Sequence, residues 1–259
     1  MRPVTLITGA SAGIGTALAH VFAQHGHELM LIARREQRLT ELADAIAARG
    51  QKRPLTLPLD LTQPDAVRRI GDALTSHDVE PEFVVNNAGF GLLGAASALD
   101  LGEQLAMVDL NVRLLTDLSL AFIAPLQRRR GGILNVASVA GFLPGPGMAV
   151  YYASKAYVLS FSEALHCELK PRGVRVTVLC PGPVPTEFQA RAGVSTGRSS
   201  PLITQSAERV AREGYRGLMA GRRLVIPGFA NKLVTFLLRL TPRQLALAGV
   251  EARQRFQQP

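Results

Sequence analysis

Apolar residues along this chain come in short unbroken runs rather than in strict alternation. The runs lie at 4–8, 28–33, 54–59, 82–87, 132–137, 174–180 and 224–226, and are mostly aliphatic or β-branched. A strand that is apolar at every position is covered on both faces, as in a parallel sheet between two layers of helices. Between the runs, apolar positions recur every three or four residues. That period predicts helices over 14–24, 36–48, 63–74, 101–129 and 151–170. Alternating strands and helices imply right-handed βαβ units. The pattern therefore predicts an α/β fold, a three-layer doubly wound parallel sheet of Rossmann type with seven strands in the order 3-2-1-4-5-6-7. Ligands of such sheets bind at the carboxyl ends of the strands.

The rhythm fails at 183–206, which is rich in Gly, Ser, Thr and Pro. Long loops of this kind often cover a site, so a lid is expected over about 183–222. A helical extension is expected over about 228–259, with the apolar and basic run Asn231-Lys232-Leu233-Val234-Thr235-Phe236-Leu237-Leu238-Arg239-Leu240. One domain, 1–259, accommodates the length.

Composition narrows the function classes. Forty-seven per cent of the residues are apolar, enough for a sizeable core, yet no run approaches the roughly 18 residues of a membrane span. The N-terminus enters a strand directly, without a signal peptide, so a cytoplasmic protein is expected. Cys167 and Cys180 make neither a disulfide framework nor a metal set, and the five histidines do not cluster at ligand spacing, so no metal is expected. The net charge of +9 raises a nucleic-acid partner. The basic residues are scattered, however, and Arg128-Arg129-Arg130 reads as a solvated helix end, so none is expected. The run at 229–240 reads as a helix packed on the body or on a second subunit. Weak peripheral membrane contact is its alternative, and stable insertion is not expected.

Candidate chemistry sits at the strand ends. The first run leads into Thr8-Gly9-Ala10-Ser11-Ala12-Gly13-Ile14-Gly15 and then a helix. Gly9 permits the sharp turn, Gly13 removes a side chain where a pyrophosphate approaches, and Gly15 lets the helix lie close to the sheet. The helix start offers free N–H groups and a positive pole. The second run ends in Ala33-Arg34-Arg35, where an NAD site usually carries an acid. A guanidinium pairs with a 2′-phosphate, so NADP(H) is favoured, with Ser11 as an added hydroxyl donor. Tyr151 and Lys155 are one helical turn apart and share a face. An ammonium beside a phenol is expected to lower its pKa and fit it for proton transfer. Ser138 ends the fifth run, within reach of a substrate oxygen. Asn111 lies mid-helix, where asparagine is not favoured.

Together these residues resemble the short-chain dehydrogenase/reductase superfamily in its compact single-domain form, over residues 3 to about 190. The resemblance rests on Thr8-Gly9-x-x-x-Gly13-Ile14-Gly15, Asp60, Asn86-Asn87-Ala88-Gly89, Asn111, Ser138, Tyr151-x-x-x-Lys155 and Pro181-Gly182. It implies that Tyr151 protonates the carbonyl oxygen, that Lys155 holds the nicotinamide ribose and lowers the phenol's pKa, and that Ser138 orients the carbonyl. Asn111 would hold a water of the proton relay. It puts Arg34 where NADPH-preferring members carry a basic residue, Asp60 and Leu61 beside the adenine, and Asn87, Ala88 and Gly89 beside the adenosine ribose. Pro181, Gly182, Val184 and Thr186 would lie beside the nicotinamide. Members usually form homodimers or homotetramers through the helices starting near 101 and 151. The expected reaction is hydride transfer between NADP(H) and a carbonyl or alcohol. Gly91, Leu92, Phe142, Leu143, Tyr152 and Phe188 are the expected substrate contacts, mostly apolar, and imply a hydrophobic small molecule. A non-catalytic NADPH-binding regulator, and an isomerase or dehydratase on the same scaffold, are the alternatives.

Overall fold

The aliphatic runs become strands because both sides of each one find a helix layer. In the computed structural model, residues 1–193, 200–242, 244 and 247 are described. Residues 194–199 of the expected lid, and most of the expected extension beyond 242, lie outside the described residues. The strands are β1 (Arg2–Thr8), β2 (Leu29–Ala33), β3 (Leu55–Pro58), β4 (Val79–Asn86), β5 (Gly132–Val136), β6 (Arg175–Leu179) and β7 (Leu224–Val225). Among the described residues they form one seven-stranded sheet in the order 3-2-1-4-5-6-7. Every neighbouring pair is parallel.

β2 shows the logic. Leu29 and Leu31 enter one core, with helices α1 (Gly13–Gln24), α2 (Glu36–Ala47) and α9 (Ala207–Met219). Met30 and Ile32 enter the opposite core, with α3 (Ala66–Ser76), α5 (Leu115–Ala121), α6 (Ile123–Arg129) and α7 (Ala149–Leu169). All five residues of the strand are buried. At about 25 cal/mol per Å² of apolar surface removed from water, two-sided burial is the main stabilising contribution of such strands.

Three differences from the sequence pattern have physical causes. β4 begins at Val79 and contains Pro81, three residues before the expected start. A register shift between Val4 and Thr5 accommodates the proline, and β5 pairs with β4 only from Phe83 onward. The helix expected over 101–129 is divided into α4 (Leu101–Val108), a π-helical turn (Asp109–Leu114), α5 and α6. The break at Phe122 precedes Pro125, which has no N–H to donate to the Ala121 carbonyl.

The third difference is α9, inside the stretch expected as a lid. It buries Val210, Ala211, Tyr215 and Leu218 against α1 and the sheet, so this part belongs to the structural core. Gly214 and Gly217 make the approach possible. A Cβ on Gly214 would stand 2.8 Å from Leu179, and one on Gly217 would collide with Val225. The remaining helices are α8 (Glu187–Ala192), within the expected lid, and α10 (Phe229–Leu240). Among the described residues no helix is long and apolar enough to cross a membrane.

Candidate active site

The carboxyl ends of β1, β2, β4, β5 and β6 surround a cavity of about 860 Å³. Its floor is the turn from β1 into α1. Gly9 takes φ +66°, a left-handed conformation that costs glycine little. A Cβ on Gly15 would collide with the Gly9 carbonyl, so glycine there lets the helix start against the loop. Thr8 and Asn87 lock this turn to the end of β4. The Thr8 hydroxyl accepts from the Asn87 and Ala88 amides at 3.0 and 3.1 Å, and Asn87 Nδ2 donates to the Thr8 carbonyl at 2.9 Å. Gly89 follows along the same wall.

The N-terminus of α1 is left for a ligand. Its N-cap is Ala12, no side chain caps it, and its first turn holds no acid. Uncapped N–H groups at the mouth of a cavity suit an anionic group such as a pyrophosphate, so the cradle fits a dinucleotide. Arg34 and Arg35 line the same cavity, with Ile14 and Leu61. Arg35 donates to the Ser11 hydroxyl at 3.2 Å and pairs with Glu187 at 2.7 Å. Glu187 thus presents an anion to the guanidinium where a phosphate group is expected. Asp60 accepts from the Thr62 amide at 3.0 Å and from its hydroxyl at 2.8 Å. The Thr62 amide bond holds the carboxyl below the usual carboxylate range, with help from the Thr62 hydroxyl and nearby Arg34 and Arg191.

The chemical end lies where β5 meets α7. Ser138 follows the end of β5 in extended backbone and accepts from the Ala140 amide at 3.1 Å, which fixes its rotamer. The Tyr151 side chain hydrogen-bonds Ser138. Lys155 Nζ stands 5.9 Å from the centre of the Tyr151 ring and donates to the Val136 carbonyl at 2.9 Å. Burial pushes the Tyr151 phenol up to about 12, against the opposing pull of the Ser138 hydrogen bond. Burial also pushes the Lys155 ammonium down to about 8. Burial therefore outweighs here the lowering of the phenol's pKa expected from Lys155. The ammonium is itself desolvated and turned to a backbone carbonyl, while the phenol stays protonated and suited to donate.

Asn111 is fully buried in the π-helical turn. Its Oδ1 accepts from the Phe90 amide at 3.1 Å. Nδ2 donates to the Phe90 carbonyl at 3.0 Å and to Ser154 at 3.1 Å. Ser154 in turn donates to the Tyr151 carbonyl at 2.7 Å. Both amide hydrogens are thus committed to protein partners. The side chain clamps the loop after β4 to the first turn of α7 and holds Tyr151 in place.

The expected substrate residues divide. Leu143, Tyr152 and Phe188 line the cavity, and Phe188 packs on Tyr151 with ring centres 5.4 Å apart. Gly91 closes in behind, since a Cβ there would stand 3.1 Å from both Phe188 and Tyr151. Leu92 and Phe142 are not in the cavity wall. Phe142 instead packs on a core cluster with Val158 and Cys180. Val184 and Thr186 lie where the chain crosses from β6 to α8, and Thr186 faces Gly13. Pro181 and Gly182 form the turn before them. Pro181 accepts from the Val139 amide at 3.0 Å, and a Cβ on Gly182 would press on Asn231 of α10.

Several wall residues carried no sequence signal. Met148 precedes α7, and Arg191 on α8 lies 4.0 Å over the Phe90 ring. Val234 and Leu238 reach the cavity from α10. Their spacing of four residues on an apolar helix was the available hint.

Comparison with known proteins agrees with this geometry. The sequence pattern of the family described as short chain dehydrogenase matches residues 3–197. The chain is 41% identical over 191 residues to sulfoacetaldehyde reductase 2 of Chromohalobacter salexigens, covering 73% of this chain and 75% of that one. A short-chain dehydrogenase from Sphingobium yanoikuyae, solved in complex with NADPH, superposes with a TM-score of 0.82 at 31% identity, covering 90% and 91% of the two chains. The bulky-bulky ketone specific alcohol dehydrogenase from Comamonas testosteroni superposes with a TM-score of 0.76 at 29% identity, covering 92% and 93%. The chain belongs to the short chain dehydrogenase family and is an oxidoreductase acting on an alcohol or carbonyl group.

Proposed function

We propose that the protein carries out NADP(H)-linked interconversion of a carbonyl and an alcohol on a hydrophobic small molecule, with Tyr151 as the proton donor in reduction. The observation that carries this reading is the convergence of Tyr151, Ser138 and Lys155 on one cavity that also opens onto the uncapped start of α1. A bound nicotinamide dinucleotide supplies the hydride. The chain supplies the rest. The Ser138 hydroxyl orients the carbonyl oxygen, and Tyr151 gives that oxygen its proton. The Lys155 ammonium steadies the negative charge left on the phenol. Asn111 acts through the position of Phe90 and Tyr151. Around Tyr151 the wall is made by Leu143, Met148, Tyr152, Phe188, Val234 and Leu238, which excludes water and favours an apolar substrate.

Arg34 and Arg35 support NADPH over NADH. A charge-assisted bond to a phosphate contributes about 1.5–3 kcal/mol, so Arg35→Ala is expected to lower kcat/KM with NADPH by roughly 10–100-fold and with NADH by little. Steady-state kinetics with both cofactors checks this, and equal losses would contradict it. A pH profile tests the ammonium. Reductive kcat/KM is expected to hold below pH 8 and to fall as pH rises through about 8, where Lys155 loses its proton, while Tyr151 keeps its proton to about 12. A profile flat to pH 10 would contradict that assignment.

A carbonyl panel tests the substrate class. It should include bulky ketones and a short anionic aldehyde, the latter because Arg191 lies in the cavity wall. Higher kcat/KM for the bulky ketones is expected, and preference for the anionic aldehyde would overturn the apolar reading.

The exposed apolar residues Leu101, Leu105 and Val108 on α4, with Leu120 on α5 and Tyr157 on α7, support a homodimer through α4 and α7. Cys167 and Cys180 form no disulfide, which suits a reducing compartment such as the cytoplasm.

A further inference from the structure

Arg35 is held from two sides. Its Nη2 donates to the Ser11 hydroxyl and to the Ser11 carbonyl, both at 3.2 Å, and its Nη1 pairs with Glu187 Oε2 at 2.7 Å. The Ser11 bonds anchor the guanidinium to the loop that leads into α1. The Glu187 bond joins it to α8, far away in the sequence. All three residues line the cavity.

The place of Glu187 is set by its neighbours. A Cβ on Gly13 would stand 2.9 Å from Thr186 Cγ2, so Thr186 rests against the glycine loop. Phe188 packs on the Tyr151 ring with centres 5.4 Å apart. Gln189 and Ala192 are buried, and the Leu93 amide donates to the Ala192 carbonyl at 2.9 Å. A short helix seated at both ends holds its first carboxylate at one place. The pair with Arg35 is therefore built into the packing of α8 and is not a chance meeting of two long side chains.

A 2′-phosphate brought to Arg35 meets that carboxylate. Ser11 takes Nη2, and Glu187 takes Nη1. The phosphate must displace Glu187 or lie beside it, and neighbouring anions repel. A ribose hydroxyl is neutral and faces no such conflict. Selectivity is a difference between two affinities, so a group that opposes one ligand shapes it as much as a group that attracts.

We propose that Glu187 is a cofactor-selecting residue: it competes with the 2′-phosphate of NADP(H) for Arg35 and so limits the preference for NADP(H) over NAD(H). The proposal rests on the assignment of Arg35 to the 2′-phosphate.

Direct binding tests it. The full-length parent, Glu187→Gln, Arg35→Ala and the double variant are titrated calorimetrically with NADPH and with NADH. Glutamine keeps the size of the side chain and removes its charge. Both partners of the pair are about half exposed, so the competition is modest. Glu187→Gln is expected to lower the Kd for NADPH by about three- to fivefold and to leave the Kd for NADH within about twofold. With Arg35→Ala already present, the same substitution should change the NADPH Kd by less than about twofold, because the contested cation is gone. An unchanged or raised NADPH Kd in Glu187→Gln, beside a parent preference for NADPH that Arg35→Ala weakens, would overturn this proposal alone. An equal gain for NADH, or an undiminished gain without Arg35, would also overturn it, since either result assigns the effect to general charge or to helix packing. Equal Kd values for the two cofactors in the parent, untouched by Arg35→Ala, would remove both the proposal and the phosphate assignment beneath it.

Discussion

Tyr151→Phe is expected to lower kcat/KM for carbonyl reduction by about 10³-fold, within the range of about 10²–10⁴ that a positioned general acid contributes. The substitution removes one oxygen and keeps the ring, which packs on Phe188 and Tyr152. Substrate and cofactor contacts made by the ring survive, so the loss should fall on kcat more than on KM. Ser138 remains, but a serine hydroxyl is a far weaker acid than a phenol and cannot replace the lost proton donor. Its hydroxyl still accepts from Ala140, so the end of β5 keeps its shape. Activity within about threefold of the parent would remove Tyr151 from the chemistry.

Lys155→Met carries the second large effect, in two directions at once. Activity should fall by about 10²-fold or more, because the ammonium that offsets the phenol's developing charge is lost. Stability should rise. Lys155 is only 5% exposed, and its pKa falls from 10.5 to about 8 on folding. Here the folded-state pKa lies below the unfolded one for a cation, so the fold disfavours the charge. Between pH 8 and 10.5 the unfolded chain binds more protons, and stability rises with pH across that window. Below pH 8 the whole cost is present, about 3 kcal/mol at 1.4 kcal/mol per pKa unit. Methionine removes it but leaves the Val136 carbonyl without its donor, which costs about 1 kcal/mol. The expected net gain at pH 7 is about 2 kcal/mol, a rise of roughly 5 °C in Tm for a domain of this size. Denaturation of parent and variant at pH 7 and pH 10, without cofactor, checks the sign. The parent should become more stable on alkalisation relative to the variant, and a parent that weakens relative to it would contradict the burial of a charge.

The sheet was legible because its strands are covered on both sides, and such strands announce themselves as unbroken aliphatic runs. The exception, the start of β4, carries Pro81, a residue that speaks against a strand until the bulge beside it at Glu82 is known. The glycine loop, Arg34, Arg35, Ser138 and the Tyr151–Lys155 pair were legible because one turn of helix or one strand end fixes each of them locally. What local pattern could not give was anything set by tertiary contact. Gly214 and Gly217 fall in the stretch expected as a lid, yet they are what allows α9 to lie against β6 and β7. The commitment of Asn111 to Phe90 and Ser154 depends on two segments distant in sequence, as does the entry of Val234 and Leu238 into the cavity wall. The pKa directions of Tyr151 and Lys155 belong to the same class. Spacing places an ammonium near a phenol, but burial decides which of the two groups holds its proton.

The central claim is that this chain couples hydride transfer from NADPH to protonation of a carbonyl oxygen by Tyr151. Its most direct measurement follows NADPH absorbance and alcohol formation together, with the parent and with Tyr151→Phe, on the best ketone of the panel. The account predicts one alcohol formed for each NADPH consumed by the parent, and almost none by the variant. Product formed without net loss of NADPH would indicate an isomerase or dehydratase, and NADPH binding without turnover of any carbonyl would indicate a regulator. Either result would contradict the account.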